Sequence, residues 1–331
     1  MFELKKILVP TDFSKGAESA YPVAQNLAST FGAVVDFMHI IPTLKYFNES
    51  LKMLGIPLDM NEDVYPKIMD ESEQQLEKAM NQYLKDINKG EKIVKVERRP
   101  SEAIVRYATE NGYDMILMGA RGKDESKLIR GGVTERVIRK SRIPVFSVDN
   151  RFDNSKVKNI VMTTDTSELS LSAFPLAAAM ADTYNASLTL FHVIELYGSG
   201  VDDIPQNPAK GESVSIYEGI IDRINGYLEK RKLENIHVQR TGVTYEDEIT
   251  ITEGEDSRTI PLFTKIEKGV SAHYEIENYA SENADLLIMA THGHSGFAHL
   301  ILGSIAEKVA QYVKQPVITI RPNESDFKSK N

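Results

Sequence analysis

The 331-residue chain is 41% apolar and 26% charged, with a formal net charge of −9; this suits two soluble globular domains and argues against a dominant nucleic-acid or anionic-membrane surface. It has no cysteine, so disulfides and thiolate chemistry drop out, which fits a reducing cytoplasm. The opening Met1-Phe2-Glu3-Leu4-Lys5-Lys6 lacks an apolar signal-peptide core. No apolar run nears the roughly 20 residues that cross a bilayer, so a cytoplasmic protein is expected.

Taken in order, Lys5–Val9 predicts a short apolar strand that stops at Pro10, with Thr11-Asp12 at its carboxyl end. Ser14 is placed to cap a helix whose apolar positions Ala17, Ala20-Tyr21, Ala24, Leu27-Ala28 and Phe31 keep helical spacing, and Gly32 supplies the stop. Ala33–Ile41 reads as a second strand ended by Pro42. Residues 43–65, broken by Asn48, Gly55 and Pro57, read as irregular. A long amphipathic helix follows, its buried stripe expected at Ile68-Met69, Leu76, Met80, Tyr83-Leu84 and Ile87. Ile93, Val94 and Val96 mark a third strand, Ser101–Asn111 a helix, Met115–Gly119 a buried strand and Ile143–Val148 a fifth strand. Strands alternating with helices predict parallel βαβ units with right-handed crossovers, hence a doubly wound five-stranded α/β domain over residues 1–149.

After a polar linker at 149–156 the order repeats over residues 157–322, giving two tandem doubly wound, mostly parallel sheets with flanking helices. Ser19-Ala20-Tyr21-Pro22 matches Ser172-Ala173-Phe174-Pro175, and Asp12 with Asp165 and His39 with His192 share the same offset of 153. Gly122 to Gly293 is 171 and Pro144 to Pro316 is 172, so about eighteen residues are added in the second copy between His192 and Gly293. The expected insert is Tyr245–Phe263, where Ile249–Thr252 and Thr259–Leu262 flank the polar tip Glu253–Arg258 as in a β-hairpin. The tail from Pro322 is polar and expected to be disordered.

One stretch carries chemistry. Asp285 and the apolar Leu286–Met289 read as a buried parallel strand ending at Ala290, followed by a turn at Gly293, nine residues, and Gly303-Ser304 opening a helix with Ile305, Val309 and Tyr312-Val313 on one face. The first copy has Met115–Gly122, then Arg130-Gly131-Gly132-Val133. Strand, glycine turn and helix start make an anion site, because first-turn N–H groups lack intrahelical partners and the helix dipole favours negative charge. Phosphate is the natural occupant. The competing reading is a pair of tight turns with Ser304 as an ordinary cap.

Asp12 and Asp165 sit at strand carboxyl ends, where open α/β sheets place ligands. A carboxylate there can accept from ribose hydroxyls or help hold a cation; equally, it can cap a helix. His292, His294 and His299 have no carboxylate or cysteine beside them in the motif, so no metal site is expected. His39 and His192 read as packed structural residues, and Lys123, Lys127 and Arg130 as either a solvated loop face or counter-charges to an anion. Gly-x4-Gly-Lys-Ser/Thr, a Gly-x-Gly-x2-Gly loop after the first strand and Gly-x-Ser-x-Gly are all absent, so no catalytic residue is assigned.

With these residues in view, the chain resembles a tandem universal stress protein over nearly its whole length. Nucleotide-binding members of that family show glycine, two residues, glycine, nine residues, then glycine with serine or threonine. The second copy matches as Ala290-x2-Gly293-x9-Gly303-Ser304, departing at Ala290. The first reads Gly119-x2-Gly122-x8-Gly131-Gly132, one residue short and without the hydroxyl. The resemblance implies a nucleotide-binding stress-response regulator that takes ATP, with or without Mg. It implies ligand contacts from Thr164, Asp165, Met289, Ala290, His292, Gly293, Gly303, Ser304 and Ile305, with Val193 beside the adenine. Thr11, Asp12, Gly119, Gly122, Gly131 and Gly132 would form a poorer first site. It also implies a pseudo-dimer of the two halves through Val145–Val148 and Val317–Ile320, which could extend to a homodimer, without nucleic acid or membrane. Two other readings stay open: a slow ATPase or self-phosphorylating enzyme using Ser304, Ser295 or Thr291, and a nucleotide-free dimerisation or partner-recruiting scaffold.

Overall fold

Each buried apolar run of the sequence becomes a central strand. The computed structural model describes residues 3–43, 50, 53–54, 59–120, 132–150, 152–196, 210–291 and 304–321. The chain divides into a first unit, Glu3–Arg151, and a second formed by Phe152–Asn331 with Met1–Phe2.

The first unit is built on β1 (Lys6–Thr11), β2 (Val34–Pro42), β3 (Lys89–Glu97), β4 (Met115–Gly119) and β5 (Val145–Val148), all parallel in the order β3-β2-β1-β4-β5. Ile7, Leu8, Val9, Ile116 and Leu117 are fully buried, as strands covered on both faces must be. β1 does not stop at Pro10 but runs through it to Thr11. β4 pairs only with Ile7 and Leu8, so the missing N–H of Pro10 falls beyond that pairing.

The expected single helix after Ser14 is two: α1 (Lys15–Glu18), capped by the Ser14 side chain, and α2 (Ala20–Phe31), which ends at Gly32 with φ 68°. Only glycine takes that left-handed value freely. Within the span expected to be irregular, Met60–Val64 makes a π-helical turn into α3 (Tyr65–Tyr83). Leu76, Met80 and the capping Leu84 are buried as predicted, but Ile68 is exposed and Ile87 lies past the helix end. α4 (Pro100–Glu110) and α5 (Val133–Lys140) complete the unit.

The second unit carries β6 (Asn159–Thr163), β7 (Ser187–Glu195), β8 (Ile236–Val243), β9 (Glu246–Glu253), β10 (Asp256–Gly269), β11 (Leu286–Ala290) and β12 (Val317–Ile320), in the order β12-β11-β6-β7-β10-β9-β8. Its helices are α6 (Glu168–Leu171), α7 (Phe174–Tyr184), α8 (Lys210–Lys230), α9 (Ala272–Asn283) and α10 (Ser304–Tyr312). Five strands repeat the first unit, and β8 and β9 are added antiparallel to its edge.

The expected hairpin forms, with Ile249 opposite Ile260 and Thr252 opposite Ser257. Its bounds need correction. Leu262–Gly269 is the parallel edge strand itself, paired with Leu188–Glu195, so the added segment begins earlier, at β8. A single 14-residue strand serves both pairings, and alternation alone does not mark where one ends.

The acid ahead of each buried strand has a structural task. Asp114 accepts from the N–H groups of Lys5 and Lys6 at 2.8 Å, and Asp285 accepts from those of Lys158 and Asn159 at 2.9 Å. Each carboxylate thus ties the start of the Gly- or Ala-ended strand, β4 or β11, to the start of its unit's first strand, β1 or β6. The tail from Pro322 lies outside the described residues.

Candidate functional site

Thr-Asp-x-Ser follows the first strand of each unit, and both copies fold into the same turn. In the second, Thr164 Oγ1 accepts from Thr166 N–H (3.0 Å), Asp165 Oδ1 accepts from Ser167 N–H (3.0 Å) and Ser167 Oγ–H (2.5 Å), and Ser167 Oγ accepts from Ser170 N–H (3.1 Å) to cap α6. In the first, Thr11 Oγ1 accepts from Phe13 N–H (2.9 Å), Asp12 Oδ1 from Ser14 N–H (3.0 Å) and Ser14 Oγ from Ala17 N–H (3.2 Å). The residue between acid and serine has φ > 0 in both: 59° at Phe13 and 68° at Thr166. That region is costly for a β-branched side chain, so the surrounding bonds must hold Thr166 there. The sequence shows the repeated Thr-Asp; it does not show the positive φ.

The turns project the acids outward. Thr11 and Thr164 are buried, Asp12 is exposed and Asp165 half-buried. Their carboxylates do cap backbone, as the competing reading required, and still stand at the strand ends. His39 Nδ1–H donates to the Thr11 carbonyl and His192 Nδ1–H to the Thr164 carbonyl, each at 2.8 Å, so these histidines brace the strand ends as structural residues. Tyr21, whose hydroxyl lies 2.6 Å from Thr11 Oγ1, has its pKa pushed up to about 12 by burial.

β11 lies directly beside β6, with Met289 opposite Thr163, while the chain leaving β6 crosses to β7 on the other side. The gap between the carboxyl ends of β6 and β11 is therefore a topological switch point, the place where open α/β sheets bind ligands. Asp165 stands on one side of it. Ala290, half-buried, and Thr291, whose N–H donates to the Ile320 carbonyl at 2.8 Å, stand on the other. Met289 is buried, Ser304 opens α10, and Ile305 is half-buried in its first turn. Val193 is half-buried near the end of β7, opposite Glu267. His292, Gly293 and Gly303 lie outside the described residues, as do Gly122 and Gly131; Gly132 precedes α5 as its cap residue.

Gly119 has a different explanation from ligand approach. A Cβ there would sit 2.1 Å from the Gly16 carbonyl oxygen, so the backbone of α1 demands the glycine. Thr134 Oγ1–H also donates to the Gly119 carbonyl at 2.8 Å. The methyl of Ala290 in the second unit is thus a difference in how the strand end packs.

Away from the strand ends, the first unit buries Asp36, 1% exposed, with Tyr113 O–H and Glu91 N–H each at 2.5 Å and Lys6 Nζ at 3.5 Å. The second buries Asp247, 3% exposed, with Tyr217 O–H shared between its oxygens at 3.0 and 2.9 Å. Burial raises the Asp247 pKa, against the Tyr217 hydrogen bond and the Arg240 charge, and pushes Tyr217 up to about 12. Among the described residues no group of three or more His, Cys, Asp or Glu could hold a metal ion, and no helix is long and apolar enough to cross a membrane.

The repeated open sheets with flanking helices define a tandem α/β protein. The universal stress protein family model matches residues 3–149 and 156–321, and the chain belongs to that family. A universal stress protein of Methanocaldococcus jannaschii is 32% identical over 156 residues, 44% of this chain and 96% of its own length. One from Synechocystis is 23% identical over 334 residues, covering 96% of this chain and all of its own. The crystal structure of a universal stress protein from Archaeoglobus fulgidus shares the fold, with a TM-score of 0.58 at 18% identity, covering 96% of this chain and 98% of that one.

Proposed function

We propose that the second unit binds an adenine nucleotide, ATP with or without Mg2+, as the regulatory ligand of a stress-response protein. The observation that carries the reading is the switch point between β6 and β11, with Asp165 on one lip and the Ala290-x2-Gly293-x9-Gly303-Ser304 segment running from the other into α10. A half-buried carboxylate suits ribose hydroxyls or a phosphate-bound cation. The N–H groups opening a nine-residue helix at Ser304 suit phosphate oxygens. Asp165, Gly293, Gly303 and Ser304 would hold the nucleotide, with Val193, Met289, Ala290, His292 and Ile305 around it. The first unit has the same turn at Asp12 but a shorter loop, and is the weaker binder. The two units are read as a pseudo-dimer that presents this ligand state to partners.

The test is direct. Denature purified protein, chromatograph the supernatant, and titrate nucleotide-free protein with Mg-ATP by calorimetry. Released adenine nucleotide or saturable binding that is lost in Gly293→Val is expected. Neither release nor binding leaves a nucleotide-free scaffold. Incubation with γ-labelled ATP separates the remaining case, because released or protein-bound label marks a slow ATPase or a self-phosphorylating enzyme.

A further inference from the structure

Thr166 is a β-branched residue held at φ 68° between the acid and the cap of the second unit's turn. Such a conformation persists only where neighbours enforce it. The first unit enforces its counterpart by packing: the Phe13 ring lies 4.6 Å from the His39 ring, centroid to centroid. Threonine offers no ring for that contact. Instead, Arg223 on α8 reaches the turn, and its Nη1 donates to the Thr166 carbonyl (3.3 Å) and to Thr166 Oγ1. A cleft of about 550 Å3 lies beside this contact, lined by Ser167, Leu171, Gly226 and Tyr227, so apolar packing does not fill the space around the turn.

Arg223 is itself aimed by the added strands. α8 is fastened to them through Tyr217 on Asp247, Arg240 on Asp222 (2.8 Å) and the Asn225 side chain, which bonds Val238 N–H and C=O at 3.4 and 3.3 Å. Lys230 adds a second tie, to Glu168 at 2.7 Å. A chain of contacts therefore runs from β8 and β9 through α8 to the turn that carries Asp165.

We propose that Arg223 is a positioning residue for the nucleotide site of the second unit: it holds Thr166 in the left-handed conformation and so sets where the Asp165 carboxylate points. This rests on the nucleotide reading, deepens it, and gives the added strands a role as the support of α8. Arg223 touches the turn, and the turn touches the ligand.

The test is a double-mutant cycle on the full chain, reading Mg-ATP affinity and amide hydrogen exchange at Ser167 and Ser170. Arg223→Ala is expected to weaken affinity by about three- to tenfold, the size of one ordinary hydrogen bond because Arg223 acts through the turn, and to speed exchange at both amides. In a Thr166→Gly background the left-handed turn needs no brace, so Arg223→Ala is expected to change neither quantity. Equal losses in both backgrounds would overturn the proposal, since Arg223 would then act on the ligand or through its charge alone. Wild-type protein that binds no nucleotide would defeat the functional reading instead. The exchange measurement would still decide the brace: faster exchange only when residue 166 is threonine supports it, and unchanged exchange overturns it.

Discussion

The turn after β1 and the turn after β6 share three hydrogen bonds of the Thr-Asp-x-Ser pattern, from backbone N–H groups to the threonine, aspartate and serine side chains, yet outside partners of opposite chemistry hold them. In the first unit an aromatic pair, Phe13 on His39, does it; in the second, a guanidinium on α8. The two strand ends diverge likewise, since Gly119 is pressed against the Gly16 carbonyl where the second unit has Ala290. The buried acids differ too. Asp36 has two hydrogen-bond donors and a lysine, whereas the register that places Asp36 opposite Leu8 places Thr189 opposite Val161 in the second unit. The two copies thus keep the backbone geometry of the turn at the strand ends and differ in the packing behind it.

That comparison can be broken most forcefully at the strand ends. Gly119→Ala places a methyl 2.1 Å from a backbone oxygen and is expected to cost about 2–3 kcal/mol, read as a lowered denaturant midpoint. Ala290→Gly should cost less than about 1 kcal/mol, through backbone entropy alone. Equal effects would mean that the two strand ends are packed alike after all. Next comes Tyr217→Phe, which strips Asp247 of the phenol that bonds both its oxygens and is expected to destabilise the second unit by about 1–3 kcal/mol at neutral pH.

Asp247→Asn sharpens the same point with the opposite sign. Burial raises the Asp247 pKa in the folded state. A carboxyl raised in this way contributes its full stability below the unfolded value, about 4, and loses it as pH climbs through the folded value. Asparagine can still accept from Tyr217 and carries no charge, so the variant should be more stable than wild type by about 1 kcal/mol at pH 7 and equal to it near pH 3. Melting curves across that range check it, and a variant weaker at pH 7 would mean that Tyr217 and Arg240 outweigh the cost of burying the charge. The smallest effect is a matched pair: Ser14→Ala and Ser167→Ala each remove a helix N-cap and should cost about 1 kcal/mol. Of the two, only Ser167→Ala should also weaken nucleotide binding, because Ser167 Oγ–H also bonds Asp165.

The sequence carried the strands well because a strand buried on both faces is written as an unbroken apolar run, and Ile116-Leu117 and Leu287-Ile288 are such runs. The duplication was equally legible, since equal offsets need no physics to see. Boundaries were harder. At the break, Ser19 Oγ–H reaches the Val148 carbonyl, 129 residues away, and Pro10 hid a strand that continues because β4 pairs only lower down. Of the candidate site, the Thr164-Asp165 turn was legible from its place at a strand end. Arg223 could not, because it is 57 residues from Thr166 and looks like any solvated helix charge. The glycine at 119 was legible as a constraint but not as to its cause, which is a neighbour far away in the chain.

The dual pairing of β10 decides how separable the addition is. Its outer half, Asp256–Phe263, completes the hairpin with β9, and its inner half closes the parallel sheet against β7. An excision that spared only the inner half would take Asp247 from Tyr217, Arg240 from Asp222 and Val238 from Asn225, so α8 would lose all of these ties. The addition is thus fastened to the same helix that carries Arg223, and trimming it alters the reach of α8 to the turn as well as the sheet edge.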